Sequence, residues 1–229
     1  MDGIKCIQFK PFLSFTTNVI SSHPSFTQKD KVFRVLEVGC GTGEFAILLK
    51  AHFKDKLSIT AIDPMENTIK QAKMSSTDIS FQQKDFQEWQ QENKEAKLDI
   101  IIFTKSLHHC DDLEKSIKKA YDLLLKDGIF IAEELQPENL DANSIYWFFD
   151  RMDLLKATGR LHSQQLKERY QNLLNENIDA LKRWEAFIQH RTCHQSQDVI
   201  EKVVSIFDQH QNQVLVNMPF LHYWPVLFG

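Results

Sequence analysis

Seven consecutive residues carry the first chemical signal in this chain: Glu37-Val38-Gly39-Cys40-Gly41-Thr42-Gly43. Glycine is scarce here, 7 in 229 residues, or roughly 3% against a usual ~7%. Yet three of the seven fall within five positions. Backbone without side chains lets peptide N–H groups and a helix N-terminus come close to a ligand. Two acids follow, Asp63 and Asp85, and then the pair His108-His109. Histidine is the side chain whose ordinary pKa suits proton transfer near neutral pH. A dinucleotide fingerprint, G-x-G-x-x-G, would place its last glycine where Glu44 stands. An acid just before the loop also puts negative charge where a pyrophosphate would lie, so a nicotinamide cofactor is disfavoured. His190-Arg191-Thr192-Cys193-His194 sets two histidines four apart, a spacing that can hold zinc on a helix. It lacks the glutamate of H-E-x-x-H and any second ligand cluster, and no metal site is expected.

The elements that must position these groups read clearly. Phe33–Val38 is a short apolar, β-branched run ending at the glycines, and it predicts a buried strand. Glu44–Phe53 predicts a helix, Leu57–Ile62 a second strand closing at Asp63-Pro64, and Asn67–Met74 a helix. Ile79–Gln82 predicts a third strand ending near Asp85, and Leu98–Thr104 a fourth. Leu113–Leu125 has helical spacing and is expected to stop at Gly128. Ile129–Leu135 predicts a fifth strand. Strands alternating with helices through short loops are the mark of a parallel sheet covered on both faces. Such sheets bind ligands at the carboxyl ends of their strands, the edge where the glycines and both acids fall.

Residues 136–196 read as helical, with Ile145, Phe148, Phe149, Met152 and Leu155 on one stripe. A helix over Gln197–Phe207 and strands over Val214–Val216 and Tyr223–Phe228 are expected to close the fold, and a short helix over Phe12–Ile20 to open it. The expected architecture is a single α/β domain, doubly wound and Rossmann-like, with a seven-stranded, mostly parallel sheet. It divides into an N-terminal extension (1–31), a core (32–135), a helical lid insertion (136–196) and a final helix with a strand pair (197–229). A lid of that kind, lined by aromatic residues, would favour a small or medium acceptor over a folded protein.

Composition narrows the class. Hydrophobic residues are 42% and charged residues 25%, with a formal net charge of −4. That balance argues against broad nucleic-acid binding, which needs many phosphate-neutralising Lys and Arg. The longest clean apolar runs, such as Ile145–Phe149, span only five residues, so no membrane span is expected. Four cysteines without a C-x-x-C pair suit a reducing, cytoplasmic setting. Oligomeric state is not legible.

An acid, one residue and then G-x-G-x-G after a first strand resembles the first motif of the class I S-adenosylmethionine-dependent methyltransferases. The resemblance covers roughly residues 32–135 well, and 197–229 more loosely. It implies that Glu37, Gly39, Cys40, Gly41 and Gly43 seat the methionine end of S-adenosylmethionine. Asp63, 24 residues after Gly39, would take the ribose hydroxyls, and Met65 would pack on adenine. Asp85 with Phe86 would hold the adenine amino group. The segment from Thr104 to His109 is similar to the loop with which small-molecule methyltransferases of the ubiquinone-biosynthesis kind flank cofactor and substrate. His109 or His108 would then be the base. Asn217-Met218-Pro219-Phe220 resembles the N-P-P-[FY] of amino-methyltransferases but lies in the wrong place and carries Met at its second position, so it is set aside. The expected activity is methyl transfer to a small-molecule acceptor. A protein or peptide acceptor, or a silent partner that keeps the cofactor site, is the alternative.

Overall fold

The structure is a computed structural model, which describes residues 2–90, 97–134, 136–159, 178–189 and 194–208. These contain five strands: β1 (Phe33–Val38), β2 (Leu57–Asp63), β3 (Ser80–Gln83), β4 (Leu98–Thr104) and β5 (Leu124–Glu133). They contain seven α-helices: α1 (Asp2–Ser21), α2 (Glu44–Phe53), α3 (Glu66–Ser75), α4 (Leu113–Leu123), α5 (Ala142–Ala157), α6 (Ala180–Gln189) and α7 (Ser196–Asp208).

Every strand pairing is parallel, in the order β3-β2-β1-β4-β5. The chain winds outward from β1 through β2 to β3, then crosses back to β4 beside β1. The β1–β4 junction is therefore the point where strand order reverses. Side chains alternate between faces along each strand, and each face buries its own core. Phe33, Val35, Ile59, Ala61, Ile100, Ile102 and Ile131 pack with Phe12 and Ile20 of α1, Phe45 and Leu49 of α2, and Ile69 of α3. Leu36, Val38, Ile62, Ile101 and Phe103 pack with Leu113 and Ile117 of α4 and Val199, Ile206 and Phe207 of α7. Leu98 to Phe103 are all buried, and Ile100–Phe103 is the unbroken apolar run that a two-faced parallel sheet demands.

Most boundaries fall within a residue or two of the sequence reading, and two regions differ by more. The N-terminal helix covers all of Asp2–Ser21. Helix α4 stops at Leu123, and β5 begins at once with Leu124, which pairs with Leu98. The register then shifts, so that Ile129 pairs with Ile100. Gly128 is part of that irregular stretch and does not cap the helix. A Cβ there would stand 2.9 Å from Leu124 Cδ2 and 3.0 Å from the Leu125 carbonyl oxygen. Glycine is favoured by tight room, a reason that sequence spacing mimics with a helix stop. The strands expected over Val214–Val216 and Tyr223–Phe228 lie outside the described residues.

The described chain divides into two compact units, the first spanning Met1–Glu134 with Gln197–Asn217, the second Leu135–Ser196 with Met218–Gly229. In the second unit, Asp141 caps α5 by accepting the Ser144 amide at 3.0 Å. Phe148, Phe149, Met152 and Trp184 join α5 to α6. Arg183 is buried and forks onto Asp153 at 3.2 and 3.0 Å, its guanidinium 4.0 Å from the Phe149 ring. Trp184 Nε1 donates to the Pro137 carbonyl at 2.9 Å.

Candidate active site

The glycine loop is built by backbone contacts across to β2. Gly39 and Cys40 both donate their amides to the Ile62 carbonyl, at 2.8 and 3.0 Å. Gly39 (φ +74°) lies so close to the segment after β4 that a Cβ on it would fall 2.2 Å from Ser106 Cβ. Ser106 Oγ in turn donates to the Val38 carbonyl at 2.5 Å. Gly43 (φ +83°) stands at the start of α2, where a Cβ would meet the Phe81 ring at 2.7 Å. A Cβ on Gly41 would meet nothing within 4 Å. Two of the three glycines thus answer to internal packing, and the middle one faces open space. Cys40 is buried between them, and burial pushes its thiol pKa up, so it is not a nucleophile.

Asp63 closes β2 and holds the loop in shape. Its Oδ2 accepts the Gly41 amide at 2.9 Å, and its Oδ1 accepts the Met65 amide at 2.9 Å and the Thr68 hydroxyl at 3.0 Å. Met65 beside it is 61% exposed, an apolar side chain left in solvent at this edge. Asp85 sits after β3 and accepts the Gln87 amide at 2.6 Å. Phe86 is buried edge-on to Phe103, with ring centroids 5.2 Å apart. Lys119 of α4 fixes this loop with three donations, to the carbonyls of Phe86, Gln87 and Trp89 at 2.6, 2.9 and 2.8 Å.

Glu37, Thr104 and Glu133 form a row across β1, β4 and β5 on the face that α1 and α2 cover, since each continues the side-chain parity of its strand. Thr104 donates its hydroxyl to Glu37 Oε1 at 3.0 Å and is the register partner of Glu133. Glu37 is 1% exposed, and its Oε2 makes no hydrogen bond among the described residues. Burial, aided by the nearby charges of Glu44 and Asp63, pushes the Glu37 carboxyl up to about 8, opposed by the Thr104 hydroxyl and the Ala46 amide. Burial likewise raises Glu133 to about 7, opposed by Lys105. Among the described residues Glu133 finds only Lys105, whose Nζ stands 3.5 Å from Oε2. Asp99, at the opposite end of β4, is just as buried but fully engaged: it accepts the Arg34 amide at 2.8 Å and pairs with Lys31. The orphaned carboxylate oxygens belong to the carboxyl edge.

His108 and His109 follow β4 on a short 3-10 turn, their rings 4.1 Å apart. His108 is buried and its Nδ1 contacts Glu134 Oε2, while His109 is exposed. The structure therefore separates the two histidines, of which the sequence put His109 narrowly first. Glu133 and Glu134 escaped the sequence reading, and Lys105 and Ser106 entered it only as members of the Thr104–His109 segment. The readable signal was two consecutive acids closing a strand at the edge where Glu37 and Asp63 also close theirs. Asp112 caps α4, accepting the Lys115 amide at 2.9 Å. Of the histidine–cysteine segment, residues 190–193 lie outside the described residues, as does Asn217–Phe220. Among the described residues no cluster of three or more metal-ligating side chains occurs, and no helix is long and apolar enough to cross a membrane.

A family model for a methyltransferase domain matches residues 13–201, most of the chain. The chain belongs to the class I S-adenosylmethionine-dependent methyltransferases. This methyltransferase is 31% identical over 163 residues to carboxy-S-adenosyl-L-methionine synthase of Nautilia profundicola, covering 65% of its own length and 67% of that relative. It is 32% identical over 96 residues to malonyl-[acyl-carrier protein] O-methyltransferase 1 of Ilyobacter polytropus, covering 41% of its own length and 35% of the relative. Among solved structures, it shares the fold of the plantazolicin methyltransferase BpumL in complex with SAH and a desmethylPZN analogue. The TM-score is 0.55 at 15% identity, covering 88% of this chain and 65% of the other. S-adenosylmethionine is the cofactor of this methyltransferase, and the edge suits it chemically. A buried carboxylate oxygen without a donor fits an ammonium, and the open face of Gly41 leaves room for a chain to lie on the loop.

Proposed function

We propose that the protein transfers a methyl group from S-adenosylmethionine to a small-molecule acceptor at the carboxyl edge of β1 and β4. The observation that carries this reading is Glu37 Oε2, buried, unpartnered and one strand-end from the glycine loop. In this reading Glu37 meets the ammonium of the methionine moiety, and Gly39, Cys40, Gly41 and Gly43 form the floor beneath it. Asp63 takes the ribose hydroxyls with what remains of its acceptor capacity, and Met65 covers adenine. Asp85 and the Phe86 region bind the adenine amino group. Thr104 keeps Glu37 in place, and His108 serves as base. When bound, S-adenosylmethionine supplies an electrophilic methyl group; the protein supplies placement and exclusion of water.

Thermal unfolding with S-adenosylhomocysteine tests the cofactor site. At a hundredfold excess over Kd, a ligand stabilises by about 2.7 kcal/mol, which for a domain this size raises Tm by about 5–11 °C. Tritium-labelled S-adenosylmethionine in cell extract then tests the acceptor. Label among small metabolites supports the proposal, and label in the protein fraction sinks the small-molecule part of it.

The 31% identity to a carboxy-S-adenosyl-L-methionine synthase raises a second reading, in which the product is a carboxylated sulfonium. An added negative charge would lie at an edge already crowded with the carboxyl groups of Glu37, Glu133 and Glu134 and would hold them further from ionisation, which favours ordinary methyl transfer. Mass spectrometry of the nucleoside products separates the two.

A further inference from the structure

At this edge one further buried acid, Glu134, has so far been given no role. Glu134, the residue after β5, has a side chain only 9% exposed, and both its oxygens are engaged with the segment after β4. Oε1 accepts the Leu107 amide at 2.9 Å, and Oε2 meets Nδ1 of His108, whose side chain is 5% exposed. The backbone contact fixes the carboxylate, so that its second oxygen faces one ring nitrogen. Ser106, two residues before His108, is the residue packed on Gly39. The histidine is thus carried by the loop that abuts the cofactor cradle.

We propose that Glu134 is a positioning residue that sets the tautomer of His108. A carboxylate can only accept, so Nδ1 must carry the proton, and Nε2 is left with a lone pair. Among the described residues, the contact with Glu134 engages Nδ1 and not Nε2. The acceptor's oxygen or nitrogen bonds to the methyl carbon as the carbon–sulfur bond breaks and its electron pair passes to sulfur. The O–H or N–H proton of the acceptor goes to Nε2 and later to water. The inference rests on the reading of this edge as the transfer site, and it narrows the acceptor to one with an ionisable O–H or N–H.

The decisive variant is Glu134→Gln. A glutamine of the same shape can still accept the Leu107 amide with its carbonyl oxygen, so the loop stays anchored. Its NH2 then faces Nδ1 and donates to it, forcing the proton onto Nε2. Long-range 15N–1H NMR of histidine-labelled protein at pH 8 reads the tautomer directly. The wild type is expected to show a protonated Nδ1 and a bare Nε2 whose resonance shifts on adding S-adenosylhomocysteine. Glu134→Gln should reverse the tautomer, keep S-adenosylhomocysteine affinity within about twofold, and lower kcat for transfer from labelled donor into extract by about a hundredfold or more. Glu134→Asp, still an acceptor, should recover part of kcat. A wild-type ring protonated at Nε2, an Nε2 resonance indifferent to S-adenosylhomocysteine in a protein that binds it, or full activity in Glu134→Gln would overturn the proposal. Failure of the wild type to bind S-adenosylhomocysteine would instead strike the cofactor reading, with the tautomer still read independently.

Discussion

Thr104 donates its hydroxyl to Oε1 of Glu37 at 3.0 Å, joining the ends of β4 and β1 while leaving Oε2 of the same carboxylate buried without a donor. One oxygen secures the side chain's position, and the other is available. The contrast with Asp99, equally buried but satisfied by an amide and a lysine at the far end of β4, localises this unmet demand to one edge of the sheet.

The first consequence is in pH. The Glu37 carboxyl is held near 8 and that of Glu133 near 7, both raised by burial above the ordinary 4.5. Between about pH 4.5 and 8 the folded protein therefore binds more protons than the unfolded chain, and its stability falls as pH rises through that window. Tm of the ligand-free protein should drop from pH 5 to 8. Glu37→Gln, neutral throughout, should flatten the decline.

Binding of S-adenosylhomocysteine should release protons for the same reason. An ammonium against Glu37 favours the ionised carboxylate, so at pH 7 release approaches one proton per site. Calorimetry in buffers of different ionisation enthalpy measures it, and release that persists undiminished in Glu37→Gln would assign the proton to another group.

The glycines divide by role. Gly43→Ala brings a Cβ to 2.7 Å from the Phe81 ring and adds a left-handed penalty of about 1–2 kcal/mol, so it should lower Tm by several degrees. Gly41→Ala carries the same backbone penalty but no clash, because the space there is open. It should cost less Tm than Gly43→Ala and more S-adenosylhomocysteine affinity. Differential scanning fluorimetry of both variants, with and without ligand, reads the two effects separately.

Asp63→Ala should act twice. It removes the acceptor of the Gly41 and Met65 amides, loosening the loop and lowering Tm before any ligand is added. It should also weaken S-adenosylhomocysteine binding by about ten- to a hundredfold, the worth of a charged hydrogen bond of about 1.5–3 kcal/mol. Asp63→Asn should not restore the loop, since whichever oxygen becomes NH2 then faces a hydrogen-bond donor. Unchanged affinity in both variants would remove Asp63 from the ribose assignment.

The sheet was legible because burial on both faces forces nearly continuous apolar runs, and Leu98–Thr104 is read without error. The glycine loop was legible as a place that tolerates no side chains, although for Gly39 and Gly43 the excluded volume belongs to Ser106 and Phe81, partners 67 and 38 residues away that no local pattern reveals. The start of β5 was misread because Gly128 imitates a helix stop while serving a crowded strand irregularity. The sequence set His109 only narrowly ahead of His108, because what distinguishes them is contact with Glu134, 26 residues on from His108.

The ammonium of Lys119, seated on three carbonyls of the loop after Asp85, makes that loop's geometry a property of helix α4. Its three tetrahedral donors converge on oxygens around one point, which the flat fork of arginine does not reproduce. A charge-conserving swap at this position would be expected to misshape a stretch of chain it does not belong to. Substitution screens for tighter cofactor binding should therefore return positions on α4 as well as on the loops.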